Sequence, residues 1–228
     1  EETADGGPAV LLTAPWRDGG ATYNAALLLE GGKIAATRFK RDLPNYGVFD
    51  EMRVFAPGPM PGPIDFKGVR IGVPICEDIW TPDVAECLQE SGAEILLVPN
   101  GSPYNIAKTD QRLQHAVARV TETGLPLIYV NQVGGQDELV FDGASFVINA
   151  DHSLAVQAVD WTEAVVTTQW RRGDDDVWVC EMGELERPSE DLESIYKAMT
   201  LGLRDYVEKN GFPGVLIGLS GGVDSAIT

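Results

Sequence analysis

The sequence is short of histidine, with two, and of cysteine, with three in 228 residues. Cys76, Cys87 and Cys180 lie far apart and form no CxxC pair, which argues against a disulfide framework and a cysteine-built zinc site. Positive charge is scarce too: 17 Lys and Arg stand against 35 Asp and Glu, a formal net charge of -18. Such an acidic surface repels a phosphate backbone or an anionic bilayer, so neither nucleic acid nor membrane is an expected partner. No apolar run approaches the roughly 20 residues that span a bilayer, and the first residues lack the basic-then-apolar order of a signal peptide. A reducing compartment and a cytoplasmic enzyme are therefore the expectation.

What is present is ordinary globular material, 44% hydrophobic and 23% charged. The chain opens without Met in "EETADGGP" and stops at "SGGVDSAIT", which reads as a fragment of something longer. Short apolar runs at 8–14 and 24–30 predict strands, with 33–39 as a hairpin partner after the glycine pair 31–32. The Pro/Gly-rich stretch 56–63 predicts a loop, because proline removes donors and fixes φ. From 68 onward the order alternates: strand 68–75, helix 83–91, strand 94–100, helix 108–123, strand 126–131. That alternation predicts an α/β layered fold. "LVFDGASFVIN" (139–149), "LAVQAV" (154–159) and "AVVTTQW" (164–170) read as further, antiparallel strands. Residues 1–170 are then one domain, the acidic segment 171–188 a connector, and 189–228 the start of a second domain. That second domain opens with a helix capped by Ser189, and a strand at 214–219 follows.

Two stretches carry chemistry. "GLSGGVDS" (218–225) follows the expected strand and opens a helix, a setting in which backbone N–H groups and hydroxyls favour an anion. No lysine sits where a Walker A loop requires one. Gly218, Ser220, Gly221, Gly222, Asp224 and Ser225 are its candidate phosphate-binding residues, and the loop resembles that of the ATP pyrophosphatase superfamily. "VPICEDIW" (73–80) places Cys76 at a strand end, followed by Glu77, Asp78 and Trp80, which are poor core material. Cys76 is either a buried spacer or a nucleophile, and a nucleophile needs a base or a cation to form thiolate. His115, inside a helix, and His152, in a turn, are weak candidates for that partner. Lys40 ends a strand before an aromatic-rich loop; it is either the cation or a solvated surface lysine.

"FKRDLPNYGVFDE" (39–51), "VPICEDIW", "NGSPY" (100–104), "GGQDELVFDGAS" (134–145) and "GLSGGVDS", in this order, resemble the bacterial glutamine-dependent NAD synthetases. The resemblance implies a nitrilase-like four-layer α-β-β-α sandwich, followed by the beginning of a doubly wound α/β domain of the ATP pyrophosphatase type. It implies that Cys76 attacks the side-chain amide of glutamine, Lys40 stabilises the oxyanion and Glu51 orients Lys40. Tyr46, Glu77, Trp80 and Ser102 would line the glutamine pocket, and Lys108, with Arg112 one turn on, could meet the substrate carboxylate. Arg112 reads equally well as a solvated helix face. ATP, Mg²⁺ and nicotinate adenine dinucleotide would serve the synthetase part, with Asp224 a candidate Mg²⁺ or adenylate contact, and a homo-oligomer is expected. Nothing in "EETADGGPAV" matches the family's general-base glutamate, so the chain by itself is expected to be a weak or inactive glutaminase. Two other readings stay open: a stand-alone nitrilase-like amidase or carbamoylase, and a catalytically silent assembly module.

Overall fold

The computed structural model describes residues 2–106 and 108–227, with backbone alone for 108–110. The chain begins with an antiparallel sheet of β1 (Val10–Asp18), β2 (Ala21–Glu30) and β3 (Lys33–Phe39). Its two turns, Gly19-Gly20 and Gly31-Gly32, hold φ between 54° and 88°. A two-residue hairpin matches the twist of its strands only with positive φ, which glycine adopts without a steric penalty.

The larger sheet is built from β4 (Ile64–Phe66), β5 (Val69–Gly72), β6 (Ile95–Asn100), β7 (Leu127–Asn131), β10 (Phe146–Ile148) and β11 (Leu154–Gln157). Its order is β11-β10-β7-β6-β5-β4. The hairpin β8 (Val133–Gln136) and β9 (Leu139–Asp142) projects between β7 and β10. β5, β6 and β7 run parallel, so each link needs a crossover, supplied by α1 (Asp83–Glu90) and α2 (Lys108–Thr123).

Both helices bury one face on this sheet: Val84 and Leu88 of α1, Ala116 and Val120 of α2, Leu96, Val98 and Leu127 of the strands form one cluster. Each Val or Leu among them contributes about 1.5–3 kcal/mol by leaving water. The opposite face is shared. At the β4–β5 end, Ile64, Val73 and Ile75 pack against Ala26 and Leu28 of the small sheet. At the other end, Val147, Ala155 and Val156 pack on Cys180.

The described elements thus stack as helices, large sheet and small sheet. The fold is nitrilase-like. The helix layer expected beyond the small sheet is not among the described elements, because α3 (Asp191–Lys209) packs on β8 and β9 and α4 (Val223–Ile227) is a five-residue helix.

Four local expectations are corrected. Residues 164–169 are not a strand; pairing starts only at β12 (Trp170–Arg172), which meets β13 (Trp178–Cys180). The segment read as a connector therefore contains a hairpin whose Cys180 is 1% exposed, because an apolar sheet face needed a cover. Residues 214–219 form no strand either: a central parallel strand takes its bonds from neighbours, and among the described residues none pairs with it. Nor does Ser189 cap α3. Glu190 is the cap residue, and the Ser189 hydroxyl bonds Asp160.

Helix α3 also docks by an unexpected face. Its apolar stripe stays exposed, with Leu192 at 82% and Met199 at 69%, while Ser194, Leu201 and Asp205 are buried. Gly202 explains this: a β-carbon at Gly135 would lie 3.1 Å from Gly202 Cα, so the backbones meet where neither has a side chain. Among the described residues no helix is long and apolar enough to cross a membrane.

Candidate active site

Lys40 stands at the end of β3 and is 1% exposed, which excludes a solvated lysine. Its backbone is held from both sides: its N–H donates to the Asn24 carbonyl and its carbonyl accepts from Gly58, both at 2.8 Å. Gly58 can come this close because it lacks a side chain; a β-carbon there would sit 2.6 Å from Phe39 Cβ. The ammonium donates to Glu51 Oε1 at 2.7 Å, and Glu51 Oε2 is buried with no hydrogen-bond partner. A buried lysine stays charged only against a compensating carboxylate, so the pair fixes a cation inside the site.

Cys76 follows the buried run Val73, Pro74 and Ile75 and opens a short 3-10 turn, Cys76–Ile79. Its φ is +50°, in the left-handed region that residues with a β-carbon rarely enter. A nucleophile placed on such a bend at a strand end projects its side chain away from the sheet. Asp78 braces the bend. Its Oδ2 accepts from the Ile75 N–H at 2.9 Å, and its Oδ1 from the N–H groups of Arg41 at 3.0 Å and Asp42 at 2.7 Å. Burial pushes this carboxyl up to about 6; the amides of Asp42 and Ile75 and the charge of Lys40 pull the other way. From α2, the buried Arg119 donates to the Ile79 carbonyl at 2.9 Å and closes the turn.

The other expected residues make three separate sets of contacts. The Tyr46 hydroxyl donates to Glu77 Oε1 at 2.6 Å, and burial, that bond and the nearby charges of Glu77 and Cys76 all raise its pKa. Ser102 is buried, its backbone clasped by the Asn131 side chain at 2.9 and 3.1 Å. Tyr129 joins Ser102 to the cysteine: its pKa is raised mainly by burial, it shares a hydrogen bond with Ser102, and it feels the charge of Cys76. Trp80 stacks on His115 of α2 with centroids 4.5 Å apart, and burial, then Arg119, lowers the pKa of His115. Lys108 begins α2, but its side chain lies outside the described residues.

Arg112 is a correction to both earlier readings. It is 4% exposed, with Nη1 on both Asp142 oxygens at 2.8 Å, Nε on Ser102 Oγ at 3.1 Å and Nη2 on the carbonyls of Ser102 and Pro103. It is neither a solvated face nor open to a substrate carboxylate; it fixes the Ser102 wall. Asp78, Asn131 and Asp142 were missed as parts of the site. The signal for Asp78 was present, a carboxylate two residues past the cysteine, but its partners are 36 and 37 residues away in sequence.

The loop at 218–225 stands apart and is exposed. Ser220 Oγ and Ser225 Oγ are 2.9 Å apart, the Ser220 N–H donates to Ser225 Oγ at 3.2 Å, and Ser225 Oγ donates to the Gly222 carbonyl at 3.1 Å. Gly221 supplies the bend with φ +86°. Gly218 and Asp224 flank it, Asp224 in the first turn of α4. Among the described residues no group of three or more His, Cys, Asp or Glu is placed to hold a metal ion.

A cysteine bend beside a buried lysine–glutamate pair, set in a sandwich of helices and two sheets, defines a nitrilase-like protein. Two regions of the chain match known families: the carbon-nitrogen hydrolase model covers residues 2–175 and the NAD synthase model covers 195–228. The chain belongs to the carbon-nitrogen hydrolase family. It is 51% identical to the glutamine-dependent NAD(+) synthetase of Rhodobacter capsulatus, over 97% of this chain and 40% of that protein. Against the same enzyme of Acinetobacter baylyi it is 39% identical, over 92% of this chain and 38% of that one. The chain therefore spans about two fifths of the length of the curated relatives it matches. The solved glutamine-dependent NAD+ synthetase of Acinetobacter baumannii, bound to ADP, superposes with TM-score 0.88 at 38% identity, covering 96% of this chain and 41% of that one. An amidase of Nesterenkonia sp. AN1, with acrylamide added to its active-site cysteine, gives TM-score 0.58 at 27% identity over 66% of this chain and 59% of that one.

Proposed function

We propose that this chain is the glutamine-hydrolysing part of a glutamine-dependent NAD synthetase, with Cys76 as nucleophile. Attack of the Cys76 sulfur on the side-chain carboxamide of glutamine forms a C–S bond. Collapse of the tetrahedral adduct breaks the C–N bond and releases ammonia, which takes up the thiol proton. Water then cleaves the thioester to glutamate and regenerates the thiol. Lys40, held by Glu51, is the fixed cation for the oxyanion, a role in which a buried charge acts without reorganisation. Glu77, with Tyr46 on it, suits the ammonium end of glutamine, and Ser102 and Trp80 would line the same pocket.

In the longer protein the ammonia would amidate nicotinate adenine dinucleotide at the expense of ATP. Ser220, Gly221, Gly222 and Ser225 would contact phosphate, and Asp224 supplies a single carboxylate for Mg²⁺. One observation carries the proposal: Asp78 ties the segment after a buried, glutamate-paired Lys40 to the left-handed bend at Cys76. Among the described residues, the carboxylates beside Cys76 are engaged, Glu51 by Lys40 through Oε1, Glu77 by Tyr46 and Asp78 by three amides. The 228-residue chain by itself should therefore hydrolyse glutamine slowly, short of a general-base contribution of roughly a hundred- to ten-thousand-fold. Trapping with a glutamine-mimicking electrophile, read by mass spectrometry, tests the proposal. Modification at Cys76 and not at Cys87 or Cys180, blocked by glutamine, supports it. Unselective labelling, or protection by short aliphatic amides and not by glutamine, would favour a stand-alone amidase.

A further inference from the structure

We propose that Asp78 is a positioning residue for the Cys76 reaction, its two carboxylate oxygens setting the bend that carries the thiol against the strand end that carries Lys40. The inference rests on the glutaminase reading for its chemistry, but its geometry is independent of any substrate. Oδ2 takes the amide immediately before Cys76, while Oδ1 takes the two amides immediately after Lys40. One side chain, 1% exposed, therefore spans the two halves of the site.

The bend needs this support. Cys76 sits at φ +50°, and a residue with a β-carbon stays there only where its surroundings over-determine it. In a capping box the acid three residues past the cap reaches back to the cap N–H, as Asp78 does to Ile75, but Ile75 has no side-chain acceptor to return the bond. The carboxylate takes the Ile75 N–H, and the Asp78 N–H donates in turn to the Ile75 carbonyl at 3.1 Å. Only an ionised acid has two acceptor oxygens back to back. An asparagine offers one oxygen and, on the other side, an NH₂ that opposes an N–H. Burial makes the ionised form costly, and charge retained against that cost is the pattern of functional sites.

The test uses the intact 228-residue chain and the variant Asp78→Asn, with iodoacetamide as probe and the three cysteines read separately by mass spectrometry. The expected result is that Cys76 alkylation slows by about tenfold or more, the scale on which misplaced reacting groups lose rate. Cys87, partly exposed, and Cys180, buried, keep their rates and report the integrity of the fold. In glutamine hydrolysis the same variant should lose kcat with KM little changed. Unchanged Cys76 alkylation, or a common shift of all three cysteines, overturns the proposal.

If Asp78→Asn does not fold, the wild-type chain answers by NMR. The amide protons of Ile75, Arg41 and Asp42 should follow one titration, that of the carboxyl they share. The charges of Lys40 and Asp42, at the strand end, act on that carboxyl; Cys76 and Glu77 share its turn, and Arg119 of α2 bonds the carbonyl of the next residue, Ile79. Separate midpoints for the three amides overturn the proposal. If wild-type Cys76 reacts with iodoacetamide but glutamine is not hydrolysed, the glutaminase reading fails while the positioning role is still measured.

Discussion

The bend at Cys76 and the loop at Ser220 look alike in sequence, each an apolar run, a tight turn and the start of a helix, yet they differ in what holds them. Around Cys76 the bonds reach far along the chain: Asp78 binds amides 36 and 37 residues away and Arg119 binds a carbonyl 40 residues away. Around Ser220 the bonds of the Ser220 and Ser225 hydroxyls stay local, spanning two to five residues. The flanking runs differ in the same way, with Val73 at 2% and Ile75 at 3% exposed against Leu216 and Leu219 at 104% and 70%. A short motif specifies a local bend; it becomes a rigid site only where distant segments pack on it.

The contrast predicts unequal penalties, the largest at the lysine. Lys40→Met removes the partner of Glu51 Oε1 in a carboxylate whose other oxygen already has none. Breaking a buried pair in this way costs about 3–5 kcal/mol, and we expect the lower part of that range because the Glu51 side chain is 18% exposed. Urea unfolding measures it, and adding Glu51→Gln should recover part of the loss by removing the orphaned charge. A loss under about 1 kcal/mol would place the pair with exposed ion pairs and erase the contrast.

Acidity sharpens it next. The Asp78 carboxyl is raised by burial to about 6, so below that pH the folded chain holds a proton that the unfolded chain releases near the ordinary carboxylate value. Its contribution to stability is therefore full in acid and is lost as pH rises through about 6, by at most about 3 kcal/mol. Thermal melts between pH 4 and 7 should show wild type losing ground to Asp78→Asn as pH rises. A constant difference would mean that the carboxyl is not raised. Asp205, on α3, has the opposite sign. Burial raises its pKa, but the Gly135 amide, Lys209 and Arg204 outweigh that and lower it, so its contribution is present above the ordinary value and lost as pH falls. Asp205→Ala removes the acceptor for the Gly135 N–H at 2.7 Å and should cost about 1–3 kcal/mol in urea unfolding.

The alternating strands and helices of the larger sheet were legible because apolar period and turn residues agree there, from Val69 to Asn131. The bend at Cys76, at the end of an apolar run, was legible too, while the pairing of Lys40 with Glu51 came only from several motifs read together. What was not legible depends on three-dimensional partners. Arg112 looks like any exposed helix arginine until Asp142 arrives from a hairpin 30 residues on. Asp78 looks like an acid at a turn until the segment after Lys40 comes to it. Of the expected strands, 164–170 pairs only from Trp170 onward and 214–219 pairs with nothing among the described residues; apolar composition does not report neighbours.

The smallest effect is the most informative about the second region. Ser225 joins three hydrogen bonds, more than many core hydroxyls, and a count of bonds alone would rank Ser225→Ala near Asp205→Ala. Every one of those bonds is exposed, so water replaces the lost partners and no group is left dry. The expected change in unfolding free energy is within ~0.5 kcal/mol, the range of ordinary surface substitutions. Pyrophosphate titration followed by NMR at the amides of Gly221 and Gly222 gives the second arm. If the loop's order comes from a ligand and from packing supplied elsewhere, those amides should shift little at millimolar pyrophosphate in this chain, and Ser225→Ala should barely change them. A loss above about 1.5 kcal/mol, or strong pyrophosphate binding by the 228 residues alone, would make the loop a preformed site like the bend at Cys76 and remove the distinction between them.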